Sequence, residues 1–405
     1  MVILRVAWRN LWRNDQRTAV SIAAMSTGTA VLIVISSLIA GLIDQLVTRI
    51  TRQGVGEVQV HAPAYLARRS LHETVDQPEA ILQAARAQGI AAAPRAIGFG
   101  LLAQGPKSAS AQLMGVDADA EFAVGDLPTR LAEGQFLPKG RAKQVVLGRR
   151  LARSLDARLG SELVVVVQAA DGSTSSGLFH VGGILQTLSE PIDRGGAYIS
   201  REDFGELFSF PEQVHEISLS SRGQLTSEAV AAAVTAAAGK NEVKTWRRLL
   251  PNLGTVVDLW NAVSGIMSAI FFLAAGLGVL NTLLMASYER IPEFGLIKAL
   301  GATPGRIVRD VVAEAFMLGL VSTALGAVVG IAMAFYAQAR GLDISLFAGS
   351  VSFSGVAMDS TWKAKVTPLT LLQPILTMLT VSVLSALYPA IKAARLDPIR
   401  ALVHV

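Results

Sequence analysis

Two histidine-glutamate pairs, His72-Glu73 and His215-Glu216, are the residues whose type and order first suggest catalysis. A metalloprotease helix needs a second histidine three residues past the glutamate, so that both imidazoles face one ion. Those positions hold Asp76 and Leu219, so neither pair makes the motif. With five histidines and no cysteine, the chain has few metal ligands of the usual kinds, and it can form neither a disulfide nor a thiolate site. Gly239-Lys240 is the one Gly-Lys pair, but Asn241 follows it and no glycine stands at the upstream Walker spacing, so no phosphate cradle forms. No serine, histidine and aspartate are spaced as a recognisable nucleophilic set. The residues describe a chain that is not itself an enzyme.

The elements that would carry any other activity are membrane spans. Thr18 to Ile43, Leu259 to Tyr288, Ala315 to Ala339 and Val366 to Ile391 contain no charged side chain. Each is long enough to cross a hydrocarbon core about 30 Å thick at about 1.5 Å per residue. The composition agrees: 51% hydrophobic, 17% charged, mean hydropathy +0.46. The first run is too long for a signal h-region and is expected to stay as an anchor. The fold class expected is therefore an α-helical membrane protein with four transmembrane helices and a large α/β extracytoplasmic domain inserted between helices 1 and 2. The expected segments are an amphipathic interfacial helix 1–17, spans 18–43, 259–288, 315–339 and 366–391, an external domain 44–258, a cytoplasmic connector 289–314, a short outer loop 340–365 and a cytoplasmic tail 392–405.

Charge sets the orientation. Arg5, Arg9, Arg13 and Arg17 precede the first span, Arg290, Lys298, Arg306 and Arg309 separate the second and third, and Lys392, Arg395 and Arg400 follow the fourth. The positive-inside rule places these segments in the cytoplasm. The net charge of +5 gathers beside the spans and not in a basic domain, which points to lipid headgroups and away from nucleic acid. Before the first span, Leu4, Trp8, Leu11 and Trp12 fall on one helical side and Arg5, Arg9 and Arg13 on another, a pattern that fits a helix in the headgroup plane or a plain charged flank.

Spans without ionisable residues argue against proton pumps, ion-coupled carriers and intramembrane proteases. Their small residues speak of close packing. Ser322, Gly326 and Gly330 recur every fourth position, which suits contact within one subunit or between two, and Asn281 reads as interhelical glue.

The external block alternates strand and helix signals. Strands are expected at Gly56 to His61, Ala109 to Val116, Leu163 to Val167, Gly177 to Leu188, Ala197 to Ser200, His215 to Ser220 and near Val243 to Trp246. Helices are expected at Gln77 to Gln88, Arg149 to Leu159, Arg201 to Ser209 and Thr226 to Ala238. So much sequence allows two lobes, with an interruption near Gly134 to Lys143.

The connector reads as a short amphipathic helix. Pro292 suits its first turn, Gly301 its C-terminal cap, and Thr303-Pro304 the start of the next helix. Phe294, Ile297 and Leu300 fall to one side, Glu293 and Lys298 to others. A stiff apolar knob at the membrane face is what a cytoplasmic motor needs to hold.

Here the chain resembles the FtsX-like, MacB-type permeases, the membrane subunits of type VII ABC transporters. Glu289-Arg-Ile-Pro-Glu-Phe-Gly-Leu-Ile-Lys-Ala-Leu-Gly-Ala302 is similar to their coupling helix, the run Tyr388 to Leu402 to their C-terminal signature, and Arg9 to Asn14 with Arg17 to their N-terminal motif. The resemblance implies mechanotransmission: ATP and Mg are bound by a separate ABC ATPase subunit, and motion passes along the first two spans to a MacB-like periplasmic domain without substrate crossing the membrane. It also implies that Glu289, Glu293, Phe294, Gly295, Leu296, Ile297, Lys298, Leu300 and Gly301 couple to the ATPase. A second copy or a paralogous permease would complete a dimer in the bacterial inner membrane. Gly56 to His61 and on through Tyr65, Gly148 to Gly160 and Gly183 to Tyr198 look most like the lipoprotein-releasing branch, which hands cargo to a periplasmic chaperone. Efflux of peptides or drugs, regulation of a cell-wall hydrolase, and a nucleotide-free anchored scaffold are the alternatives.

Overall fold

The computed structural model describes residues 2–13, 15–186, 189–343, 352–353, 356–357 and 361–395. Parts of three sequence signals lie outside them: the side chain of Leu4, residue Asn14, and the tail from Leu396 onward, including Arg400. Thr187 and Leu188 of the expected strand Gly177 to Leu188 lie outside them as well. The chain divides into two compact units, residues 1–45, 257–347 and 360–405 in one, 46–256 and 348–359 in the other.

The first unit is built on four long apolar helices, Asp15–Ile50, Pro251–Glu289, Pro304–Arg340 and Pro368–Ala394. The first three reach well beyond the charge-free runs, because a helix does not stop where lipid does; flanking polar turns continue it into water. The fourth starts on a capping box in which Thr367 and Thr370 satisfy each other's backbone N–H groups.

Small residues set how closely these helices approach. A Cβ on Gly326 would stand 2.4 Å from the Ser26 carbonyl, and one on Gly330 2.8 Å from Ala30 Cα. Ser26 Oγ donates to the Ser322 carbonyl at 2.8 Å. Ser322, Gly326 and Gly330 therefore form the seam between the first and third spans of one chain. A second seam joins third to fourth, where Ser382 Oγ donates to the Ala315 carbonyl at 2.6 Å over Gly319. Near the other end of the first span, Gly41 lets the Lys363 backbone approach, and Lys365 pairs with Asp44.

The second unit is mixed α/β. Its strands are β1 Val58–His61, β2 Ala91–Gln104, β3 Lys107–Val116, β4 Leu131–Gly134, β5 Gln144–Leu147, β6 Glu162–Gln168, β7 Thr174–Leu185, β8 Gly196–Ser200, β9 Glu216–Ser220 and β10 Glu242–Thr245. Pairing runs β2-β3-β8-β5-β7-β6 and returns to β2, so six strands close a barrel, with β4 on its rim. Leu102, Leu113, Leu147, Val165, Phe179 and Ile199 fill it. The first residues of β2 instead pair with β9, which continues to β1 and β10 as a small antiparallel sheet. Helices Pro78–Ala87 and Ser227–Ala238 cover that sheet through Ile81, Ala85, Val230 and Val234.

Two differences from the sequence reading have physical causes. The longest strand, β2, gave no strand signal, because half of its 14 residues are alanine or glycine and Pro94 interrupts it. Those glycines have a packing role: a Cβ on Gly98 would lie 2.4 Å from the Phe208 ring, and one on Gly100 2.7 Å from Val167. The division into halves is not near Gly134 to Lys143. It falls within β2 at Arg95 and again before β9, because the barrel is inserted into the small sheet's sequence, and interruptions of composition do not mark where a shared strand changes partners.

Candidate functional site

The connector folds as the helix Ile291–Ala299 with Pro292 in its first turn. It ends in a Schellman motif: the Gly301 N–H donates to Lys298 O at 3.0 Å, the Ala302 N–H to Ile297 O at 3.1 Å, and Gly301 takes φ 94°, where a side chain would be strained. Thr303 and Pro304 then begin the third span's helix.

The apolar side is split, contrary to the expectation from sequence. Phe294 is only 3% exposed and packs on Ile307, Val311, Ala390, Ala393 and Ala394. Ile291 and Gly295 turn inward with it. Leu300 is 81% exposed, and Leu296 and Ile297 stand out beside it. The cause is helical geometry: 291, 294 and 295 share one face, while 296, 297 and 300 share another. Phe294 is the root of the helix, and Leu296, Ile297 and Leu300 are its free surface.

Charges lock the helix in place. Arg17 holds the Glu289 carboxylate with two nitrogens, Arg13 bonds Glu293, and Arg290 reaches Glu293 at 3.1 Å and Glu314 at 2.6 Å while lying 5.1 Å above the Phe294 ring. Asn10 donates to the same Glu314 oxygen at 2.6 Å. Partial burial works against ionisation of Glu293, but its bonds to Arg13 and Arg290 outweigh that and hold its carboxyl below the usual range. On the far side, Lys298 Nζ caps the fourth span by donating to the Ala394 carbonyl at 2.9 Å, and Lys392 lies over the Tyr288 ring. The short helix is thus packed on the third and fourth spans and bonded to Arg13, just ahead of the first.

Asn10, Arg13, Arg17 and Glu314 were not singled out from sequence as site residues. One signal was present: Arg13 and Arg17 are four apart, as are Glu289 and Glu293, so matched charges can meet as a ladder. The N-terminal segment forms the helix Val2–Leu11. Ala7 and Leu11 are buried, whereas Trp8 and Trp12 are exposed and meet edge to face at 5.8 Å. Arg5 and Arg9 are exposed beside them. Among the described residues no group of three or more His, Asp or Glu could hold a metal.

Comparison with known proteins gives two family matches, the MacB-like periplasmic core domain over residues 18–237 and the FtsX-like permease C-terminal region over residues 265–398. The chain is 22% identical over 397 residues to the lipoprotein-releasing system transmembrane protein LolC of Xylella fastidiosa (strain Temecula1), covering 94% of this chain and 92% of that one. It is 29% identical over 161 residues to the uncharacterized ABC transporter permease YknZ of Bacillus subtilis, covering 40% and 36%. It is 34% identical over 138 residues to the pyoverdine export ATP-binding/permease protein PvdT of Pseudomonas putida, covering 34% and 18%.

Proposed function

Because this chain belongs to the ABC transporter permeases with a MacB-like periplasmic core domain and an FtsX-like C-terminal region, non-catalytic multi-pass subunits that work with an ATPase, we propose that it draws lipoproteins or other lipid-linked cargo from the membrane by mechanotransmission. The connector helix carries the reading. It is rooted by Phe294, braced at Glu293 by Arg13 and Arg290 and at its two flanks by Arg17 on Glu289 and by Arg290 and Asn10 on Glu314, and leaves Leu296, Ile297 and Leu300 free for a cytoplasmic partner. A stiff lever with an apolar tip transmits displacement; a mobile loop would absorb it. Glu289, Glu293, Gly295, Lys298 and Gly301 act by holding that tip in position.

Lipid-linked cargo is favoured because likeness to LolC extends over nearly the whole chain, external domain included, whereas likeness to the exporter PvdT covers only about a third. Spans free of ionisable residues suit a protein that moves nothing polar through the bilayer. A second permease completes the assembly: the Asn281 amide is exposed in the groove that the first and second spans line, has no hydrogen-bond partner among the described residues, and would find in a span seated on that groove the partner that hydrocarbon lacks.

The test is reconstitution of the full chain with its co-purified ATPase in proteoliposomes holding an acylated lipoprotein. ATP-dependent appearance of that lipoprotein in the supernatant, given a soluble acceptor, is the expected result. ATP hydrolysis that leaves the lipoprotein in the membrane while exporting a small molecule would replace this reading with efflux.

A further inference from the structure

Arg95 lies on β2 where that strand passes from the small sheet to the barrel: Arg95 is opposite Glu216 on β9, and Ala96 is opposite Gly115 on β3. Its side chain is 2% exposed and reaches three separate elements. Nε and Nη2 donate to the two oxygens of Glu121 at 2.6 and 2.8 Å, on the helix Ala118–Val124 beside the barrel. Nη1 donates to Glu216 Oε1 at 2.7 Å, on the small sheet, and to the Gly54 carbonyl at 2.5 Å. Gly54 belongs to the π-type turn Thr51–Val55 that continues the helix Asp15–Ile50.

Buried charges are a poor way to gain stability, since well-packed apolar groups of the same volume often do as well. What a guanidinium supplies is geometry, because its planar fork fixes several acceptors at once. The same turn is held by the Asp126 N–H, which donates to the Arg52 carbonyl at 2.8 Å, and by Gly125, whose Cβ would stand 2.3 Å from that oxygen. Those contacts come from the barrel half; the small sheet holds the turn separately, through the Val55 carbonyl, which accepts from Gln59 Nε2 on β1 at 2.6 Å and Ser218 Oγ on β9 at 3.3 Å. The Arg95 guanidinium bonds the turn, Glu121 and Glu216 at once.

We propose that Arg95 is the positioning residue that joins the first-span helix to both halves of the periplasmic domain, so that a displacement arriving along that helix moves barrel and sheet as one body. The proposal rests on the mechanotransmission reading and adds to it the point at which motion is shared. Without the fork, the two halves are joined here by the β2–β9 backbone pairing, by the Ile97 N–H on His215 and by Arg222, which donates to the Phe122 and Ala123 carbonyls, and β2 can bend at a looser joint.

The chain has no cysteine, so Ser108→Cys on the barrel and Lys240→Cys beside the small sheet accept spin labels without background. The distance between the labels is measured in the full complex in nanodiscs, with ADP and with vanadate-trapped nucleotide. In the wild-type background the distance stays constant within 1 to 2 Å on the order of a side-chain rotation while labels paired with a membrane site move. The neutral variant Arg95→Gln/Glu121→Gln/Glu216→Gln, which leaves no unpaired buried charge, is expected to keep ATP hydrolysis within about twofold, to spread the Ser108–Lys240 distance distribution, and to lower cargo released per ATP about tenfold. Arg95→Lys, which keeps the charge but not the fork, should fall between. A neutral variant that loses only thermal stability, with label distances and release per ATP unchanged, overturns the proposal. A wild type in which no periplasmic label responds to nucleotide overturns the mechanotransmission reading, and this inference with it.

Discussion

Arg17 and Glu289 face each other with two nitrogens on two oxygens, at 2.6 and 3.2 Å, and so join the start of the first span to the end of the second. The pair is one rung of a ladder with the more exposed Arg13–Glu293 and the more enclosed Arg290–Glu314. The rungs are not equal. Exposed ion pairs contribute about 0–1 kcal/mol, whereas removing one partner of a buried pair costs about 3–5 kcal/mol.

Glu314→Ala should therefore destabilise the chain by about 3 kcal/mol, at the low end because Glu293 still faces Arg290. Arg17→Ala should cost less than about 1 kcal/mol. Thermal unfolding in detergent separates the two, and Glu314→Leu with Arg290→Met should recover most of the loss if desolvated charge is the cause.

Phe294 and Leu300 should part company in the same way. Phe294→Ala removes a buried ring and is expected to cost about 3–5 kcal/mol. Leu300→Glu, on a side chain 81% exposed, should leave stability within about 0.5 kcal/mol while abolishing stimulation of the partner's ATPase. Loss of ATPase coupling in neither variant would remove the connector from the interface.

Gly330→Leu should disrupt the first-to-third seam, where even a Cβ meets Ala30 at 2.8 Å, at a cost of about 1–3 kcal/mol or more. Gly305→Ala, with open space around it, is the control and should be neutral. Retained protein after membrane solubilisation and heating measures the difference.

Stability should fall as pH drops from 7 toward 5. His215 is enclosed by Tyr65, Phe204 and Phe210, accepts a bond from the Ile97 N–H on Nδ1 at 3.0 Å and reaches the Leu71 carbonyl with Nε2 at 2.7 Å. Burial depresses its pKa, although the bond to Leu71 opposes this. A base with a depressed folded pKa contributes stability above its unfolded pKa of about 6.5 and loses it as pH falls toward the folded value, at up to about 1.4 kcal/mol per pH unit. His215→Gln should flatten the melting temperature over this range; an unchanged slope would assign the titration elsewhere.

Sequence alone determined the four spans, because the absence of charge over a bilayer's length is a condition each segment meets by itself. It also determined the connector helix, whose proline, glycine and threonine-proline signals act within one turn of their own position. Most strands of the external domain were legible for the same local reason, through alternation or apolar runs. Tertiary structure decided what depends on partners distant in the chain. Only it shows that β2, poor in strand formers, is held by three neighbours and closes a barrel. Only it turns Phe294 inward and leaves Leu300 out, since an amphipathic helix states that it has a face but not which surface covers it. Only it gathers Arg95, Glu121, Glu216 and Gly54, because a buried charge is stable solely where the fold brings its counter-charges within reach.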